Sequence, residues 1–423
     1  MRRPIRTAAF HLVIFLAACA LIVSRRPDSL FQARFLAEDG HVWFADAYNL
    51  GWIHTLFRSQ DGYYQTLPRL AAALSLLVPF RFAPLAMNLC ALAVQATPVS
   101  LLLSQRCSRW GSWGLRAAMA LVYLGLPNSR EMSVTITEAQ WYLALIACIL
   151  LLSFLPRGRL GKVFDAAVFV LCGLTGPFCV LLLPIAACAL WIAGETRRWL
   201  PIGVFTVSAA VQASALLITD HAGRTRIAPL GASWPMFVRI LSGHVYLGAL
   251  LGQNFYGLVG RQDLLELVVI AGTALVVVVA VWSETEIRLF LLFVALTFFA
   301  GLRSPTTGPP NGLSAWIMLA KTPGIRYWFL PDLAFLWALL VCVSGISIRG
   351  LSGLSAQVVL LAKFACALLL AVACFGVWHD WRIAPFPDLN FAGYAQRLEQ
   401  APQGEMLVIP ENPPGWKIVL TKR

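Results

Sequence analysis

The chain predicts an all-α, polytopic membrane protein of about eleven spans, with juxtamembrane helices in its first outer loop. Three observations carry this. Of 423 residues, 59% are hydrophobic and 13% charged, whereas soluble globular chains are about half apolar and about a quarter charged. Many apolar stretches approach or exceed the roughly 20 residues that cross hydrocarbon as a helix. Alternating strands of about ten residues, the signature of a membrane barrel, do not occur in the sequence.

The first run, 7–23, follows Arg2, Arg3 and Arg6. It has the shape of a signal peptide, but many apolar runs follow, so a retained anchor is expected. A loop at 24–83 comes next. Its apolar run 67–79 begins at Pro68 and Arg69 and is short for a span, which suits an interfacial or re-entrant helix. Charge parity decides the point. If 67–79 crosses, Arg106, Arg109, Arg116, Arg157, Arg159 and Lys162 fall outside; if it lies at the interface, all six fall inside, as the positive-inside rule requires.

The remaining spans are then expected near 84–104, 115–127, 139–155, 163–175, 178–193, 201–219, 264–282, 287–302, 328–345 and 358–378. The amino terminus is inside and the carboxyl terminus outside. Short inside loops hold Arg106, Arg109, Arg116, Arg157, Arg159, Lys162, Arg197, Arg198, Arg288 and Arg349. Outside segments are 24–83, 128–138, 220–263, 303–327 and a tail from His379. Spans 115–127 and 163–175 are short, and the second ends at Thr175-Gly176-Pro177, which breaks a helix. Two readings stand for that break: a helix end lining a polar cavity, or a tilted hairpin with a Gly-Pro turn. Neither a repeat nor a low-complexity linker divides the chain. The simplest division is an integral domain at 1–378 and an extracytoplasmic tail at 379–423.

Net charge is 33 − 20 = +13. Arg and Lys in loops anchor spans to anionic membrane lipids, and no basic-aromatic stripe, helix-turn-helix or zinc-finger spacing points to nucleic acid. The ten cysteines lie almost all in apolar runs without C-x-x-C, and read as small core hydrophobes. Phosphate-loop, G-x-S-x-G, dinucleotide and H-x-x-x-H patterns do not occur, so a nucleotide-driven enzyme or pump is not expected. No metal or other cofactor is indicated.

Polar residues gather in the outer segments. The first loop holds Glu38, Asp39, His41, Asp46, His54, Asp61, Tyr63, Tyr64 and Arg69. The third holds Asp220, His221, Arg224, Arg226, His244, Gln253, Asn254 and Asp263, and the fourth Arg303, Asn311, Lys321 and Arg326. The turn from Asn128 to Trp141, with Arg130, Glu131 and Glu138, is unusually polar for its length. Ionised acids beside a bilayer usually sit where water or a polar substrate meets them. Glu38-Asp39 therefore has two open roles: a general base that takes the proton of an attacking hydroxyl, or a solvated loop acid and helix cap before His41. Arg326, with Lys321 five residues earlier, either binds a lipid phosphate and stabilises it as a leaving group or snorkels at the interface. Arg130 and Glu131 read as an ion pair at a helix end, and Trp43, Tyr48, Trp52, Tyr63 and Tyr64 as headgroup anchors or sugar-stacking rings.

The order of these parts resembles the GT-C superfamily of membrane glycosyltransferases, which take sugar from polyprenyl-phosphate carriers. Ala37-Glu38-Asp39-Gly40 matches the acidic motif after span one. Gly62 to Arg69 and the run 84–104 ending at Arg106 match the juxtamembrane segment and next span. The chain looks closest to bacterial multi-span proteins with an A-E-D-G loop, a G-Y-x-x-x-x-P-R segment, a T-N-x-Q-W-like turn and a late R-Y-W-F-L-P span start. Here that turn reads Thr137-Glu138-Ala139-Gln140-Trp141, with Glu138 in place of the usual Asn, and the tail Ile409 to Trp416 is also similar. The resemblance implies a base or acceptor-orienting role for Asp39 before Glu38, and donor-phosphate binding at Lys321 and Arg326; Arg69, Arg130 and Glu131 are expected as further substrate contacts. It also implies inverting transfer from a polyprenyl-phosphate-linked sugar to a glycan or lipid acceptor, at the outer face of a bacterial inner membrane. Two rivals stay open: a glycan polymerase or ligase using diphosphate-linked oligosaccharide, and a transporter or flippase of lipid-linked sugar, for which Asp332 inside a span is the relevant residue.

Overall fold

A computed structural model describes residues 2–193, 199–218, 229–253, 260–305, 313–322, 324–344 and 356–423. Arg197, Arg198, Asp220, His221, Arg224, Arg226, Asn254, Asn311 and Arg349 lie outside the described residues. Helices dominate: α1 (Arg2–Arg25), α2 (Thr66–Ser75), α3 (Ala83–Leu102), α4 (Trp113–Gly125), α5 (Ala139–Leu151), α6 (Arg159–Gly173), α7 (Phe178–Ala193), α8 (Trp199–Ile218), α9 (Gln262–Trp282), α10 (Thr285–Arg303), α11 (Arg326–Ser344) and α12 (Ala356–Asp380). Each expected span corresponds to one of these. Among the described residues, six helices are long and apolar enough to cross a membrane, and three shorter ones are apolar. The protein is thus largely helical, with an architecture consistent with a membrane-spanning bundle.

The run 67–79 forms only α2, ten residues or about 15 Å, half of a hydrocarbon core about 30 Å thick. Helix α5 is also short, at 13 residues, but every one of them is buried. It packs against α2, α3, α6, α7 and α10, so it meets protein all round and is apolar all round. Its Trp141 and Tyr142 pack edge-on against Phe178, Tyr327 and Phe329. Inside lipid such contacts act through close packing and dispersion, since lipid tails are as apolar as leucine.

Among the described residues, contacts gather several loops at two ends of the bundle. At one end Arg106 forks onto Asp165 at 2.9 and 2.6 Å and reaches Phe154 O. Arg109 pairs with Glu286 at 3.8 Å. Arg116 donates to the carbonyls of Leu102 and Ser104 that end α3. At the other end the first loop, the 128–138 turn, Gln253, Gly324 and the end of α12 meet. Asn128 joins them: its N–H donates to Asp380 Oδ2 at 2.8 Å, its amide nitrogen to His244 O at 2.9 Å and Asp332 Oδ2 at 3.2 Å, and its carbonyl accepts from Gly324 N at 2.6 Å. Asp380 also accepts from Gln253 N at 2.8 Å. The break at Thr175-Gly176 is held by the first loop: Thr66 N donates to Leu174 O, Leu67 N to Thr175 Oγ1 and Gly176 N to Tyr64 O. Gln212 of α8 spans the same junction, accepting from Tyr64 N and donating to the carbonyls of Gly173 and Gly176.

The tail adds the one departure from an all-helical chain among the described residues. After helix α13 (Phe391–Gln400), strands β1 (Met406–Glu411) and β2 (Trp416–Thr421) pair antiparallel, Leu407 opposite Leu420 and Ile409 opposite Ile418. Leu407, Ile409, Ile418 and Leu420 are buried, and they share one apolar cluster with Phe35, Trp43, Phe44, Phe80 and Phe391. Phe80 lies 5.2 Å from both Phe44 and Phe391. This core joins the tail and the first loop to the start of α3 at Ala83, Met87 and Ala91, and burial from water is worth about 1.5–3 kcal/mol per large side chain. The tail is therefore packed onto the first loop rather than set apart from it.

Candidate functional site

The acidic motif lies where the first loop turns into a wide helical segment, Asp39–Phe44. Ala37 takes a left-handed conformation, φ +50°, which reverses the chain just before the two acids. The segment buries Trp43 and Phe44, and their burial fixes the direction of Asp39.

Asp39 is 2% exposed. It accepts from Thr137 N at 3.0 Å, Thr137 Oγ1 at 2.6 Å and Thr135 Oγ1 at 3.2 Å. Burial pushes its carboxyl up to about 6; the Thr137 hydroxyl and N–H pull the other way. Trp43 Nε1 donates to the same Thr137 hydroxyl at 2.8 Å. Asp39 thus spends its oxygens tying the first loop to the 135–137 turn.

Glu38 differs. It is half-buried, and beyond its own backbone N–H its carboxylate has no hydrogen-bond partner among the described residues. Burial raises the carboxyl, Arg326 opposes the rise, and the charges of Asp61 and Glu131 add to it. A carboxylate raised in this way, part-exposed and bonded only to its own backbone N–H, keeps lone pairs for an incoming hydroxyl.

Arg326 opens α11 between two acids of the turn. Its Nη1 lies 2.7 Å from Glu131 Oε1 and 3.2 Å from Glu138 Oε1, and its N–H donates to Glu131 Oε2 at 2.9 Å. Glu131 therefore caps α11 and grips its first side chain together, favourable beside the positive helix end. The turn is held in place because Glu131 N donates to Gly324 O at 3.0 Å, with Gly324 at φ +70°. Glu138 is 5% exposed at its side chain. Burial pushes its carboxyl up to about 8, against Arg326 and with the charges of Glu131, Glu38 and Asp39. Burial and the neighbouring acids thus favour its neutral form, which leaves Arg326 positive charge that two full carboxylates would cancel.

The structure thus brings Glu38, Asp39, Glu131 and Arg326 to one end of the bundle and adds Glu138, Thr135 and Thr137. Arg69 is turned elsewhere. It is 1% exposed, donates to Asp46 Oδ2 at 3.2 Å and lies over the Trp43 ring at 5.1 Å, while Asp46 also holds Arg58. Arg130 is exposed, close to Gly324, and makes no ion pair among the described residues. Lys321 is exposed at the end of the short helix Ala315–Lys321. No group of three or more His, Cys, Asp or Glu side chains among the described residues could hold a metal ion. Glu138 carried a sequence signal, as the one position where the Thr137–Trp141 turn departs from the pattern it resembles. Thr137 opens the same turn pattern, whereas Thr135 carried no signal beyond the turn's polarity. A scan against models of known families gives no match, and a search of curated proteins gives none either.

Proposed function

We propose that the protein is a GT-C-type glycosyltransferase that moves a sugar from a polyprenyl-phosphate donor to a glycan or lipid acceptor at the outer face of a bacterial inner membrane. The observation that carries the reading is that Asp39, beside Glu38 in the acidic motif, is bonded to Thr135 and Thr137 of the same turn whose Glu131 and Glu138 hold Arg326, at one end of an apolar bundle. Glu38, rather than Asp39, is assigned as the base, because Asp39 is enclosed by its threonine donors. In the step, Glu38 takes the proton of the acceptor hydroxyl and that oxygen bonds to the anomeric carbon. The bond from that carbon to the phosphate oxygen breaks, and the electron pair leaves on the polyprenyl phosphate. Arg326 and exposed Arg130 supply positive charge for the departing phosphate. Asp39 positions the motif. The acceptor's incoming side is reversed from the phosphate, which gives inversion.

Membranes containing the protein, supplied with radiolabelled polyprenyl-phosphate sugars, test this. Transfer of single sugar residues to an acceptor, lost in Glu38→Gln, is the expected result; a product ladder would indicate a polymerase instead. The second reading, a lipid-linked sugar transporter, draws on Asp332, which is fully buried within α11 and bonded to Asn128. Translocation of donor across vesicles without any covalent product would favour it.

A further inference from the structure

The two acids of the motif are bracketed by one short piece of the tail. Just before them, Ala37 N donates to Asn412 O at 2.6 Å. Just after them, His41 N donates to Glu411 Oε1 at 3.0 Å. Consecutive residues at the end of β1 therefore hold the backbone on both sides of Glu38-Asp39, and Leu36 forms a parallel bridge with Asn412. The grip extends along the hairpin. His41 Nδ1 lies 2.7 Å from Lys417 O, and its ring meets Trp416 edge-on at 5.5 Å. Asn49 donates to Val419 O and accepts from Thr421 N.

Glu411 is not a surface residue caught in passing. It is 3% exposed, and its Oε2 is buried with no hydrogen-bond partner among the described residues. A buried carboxyl oxygen without a partner is costly, so the side chain is not explained by solubility or by a salt bridge. The fit is close: a Cβ added at Gly40 would collide with Glu411 Oε2 and come within 2.6 Å of Ile418 Cδ1. Only glycine at position 40 lets the hairpin come this near.

We infer that Glu411 is a positioning residue for the acidic motif, and that the carboxyl-terminal hairpin is a working part of the site: it fixes the backbone at Ala37 and His41 so that Glu38 faces the Arg326 cluster while Asp39 is held on Thr135 and Thr137. The catalytic consequence rests on the proposed transferase reading; the positioning does not. Burial next to Asp39 and Glu38 pushes the Glu411 carboxyl up to about 9, so a neutral side chain of the same shape serves equally well.

Hydrogen–deuterium exchange on the full-length protein in lipid nanodiscs tests this, together with sugar transfer by the same preparations. The variants are Glu411→Ala, Glu411→Gln and Gly40→Ala. In Glu411→Ala and Gly40→Ala, peptides covering 35–44 should exchange about 10-fold faster, the loss of one or two hydrogen bonds, while 139–151 keeps its protection. Glu411→Gln should restore wild-type exchange, and transfer should follow the same order. Unchanged exchange at 35–44 in both disruptive variants overturns the inference, as does a Glu411→Gln as loose as Glu411→Ala. Loss of protection at 139–151 in both disruptive variants also overturns it, since the hairpin would then hold the bundle rather than the motif. If exchange follows the stated order and wild type transfers no sugar from any donor, the transferase reading fails and the positioning role stands.

Discussion

Replacing Glu138 by Gln should flatten the loss of stability as pH rises. In the folded protein the carboxyl is pushed from 4.5 up to about 8. A raised carboxyl binds its proton more tightly when folded, so its contribution is fully present below about pH 4.5 and is lost as pH rises through about 8. Between pH 5 and pH 8 the linked loss is on the order of 3 kcal/mol. Gln keeps the shape and an oxygen for Arg326 Nη1, but cannot ionise. Asp39 and Glu411 are also raised, to about 6 and about 9, so wild type falls with pH for several reasons; the difference between wild type and Glu138→Gln isolates one of them. The assay is unfolding of purified protein in mixed detergent, followed by circular dichroism at pH 5, 6, 7 and 8. The variant should gain on wild type at each step, most between pH 6 and 8. Infrared difference spectra across the same range should show a protonated carboxyl band in wild type that the variant lacks. Parallel pH profiles for the two proteins would refute both the buried position of Glu138 and its neutral state at pH 7.

Asp39→Asn should destabilise by about 1–3 kcal/mol, because an amide cannot accept from all three threonine groups and leaves a buried donor unpaired; the same unfolding assay reads it. Asn128→Ala should cost about 2–4 kcal/mol, since it strands the partners at Gly324, His244 and Asp332 and places alanine at φ +52°. Asp165→Leu leaves Arg106 without its forked partner and should cost about 3 kcal/mol or less, given that Arg106 is part-exposed; adding Arg106→Met should recover most of it, which a double-mutant cycle measures. A cysteine placed at Glu399 should react with an impermeant thiol reagent from outside intact cells, and one at Arg157 only after permeabilisation. The reverse pattern would invert the assigned orientation.

The helical bundle was legible because hydropathy is local. A run of apolar residues reports its own solvent, and Arg106, Arg109 and Arg116, close together in sequence, mark one end of the bundle without any three-dimensional information. The run 67–79 was legible for the same reason, being too short to cross. The site was less legible, because its pairs join distant parts of the chain. Nothing near Arg326 in sequence says that Glu131 and Glu138 will hold it. Arg69 stands in the motif by sequence, and its contacts with Asp46 and Trp43 are set by how the first loop folds back on α2. Asp39 and Glu38 are neighbours with the same chemistry, and only tertiary packing divides them into an enclosed anchor and a part-exposed acid. The hairpin was hidden for another reason: Met406 to Pro410 is an unbroken apolar run whose alternation appears only when Leu407 and Ile409 meet the aromatic core of the first loop.

The most direct test of the account is the rate of sugar transfer by Glu38→Gln relative to wild type, measured with saturating polyprenyl-phosphate donor on protein shown to be folded. The account predicts a fall of about 100-fold or more in kcat, the usual cost of removing a general base, with little change in KM for the donor and an unchanged unfolding midpoint. Wild-type turnover in Glu38→Gln would contradict it.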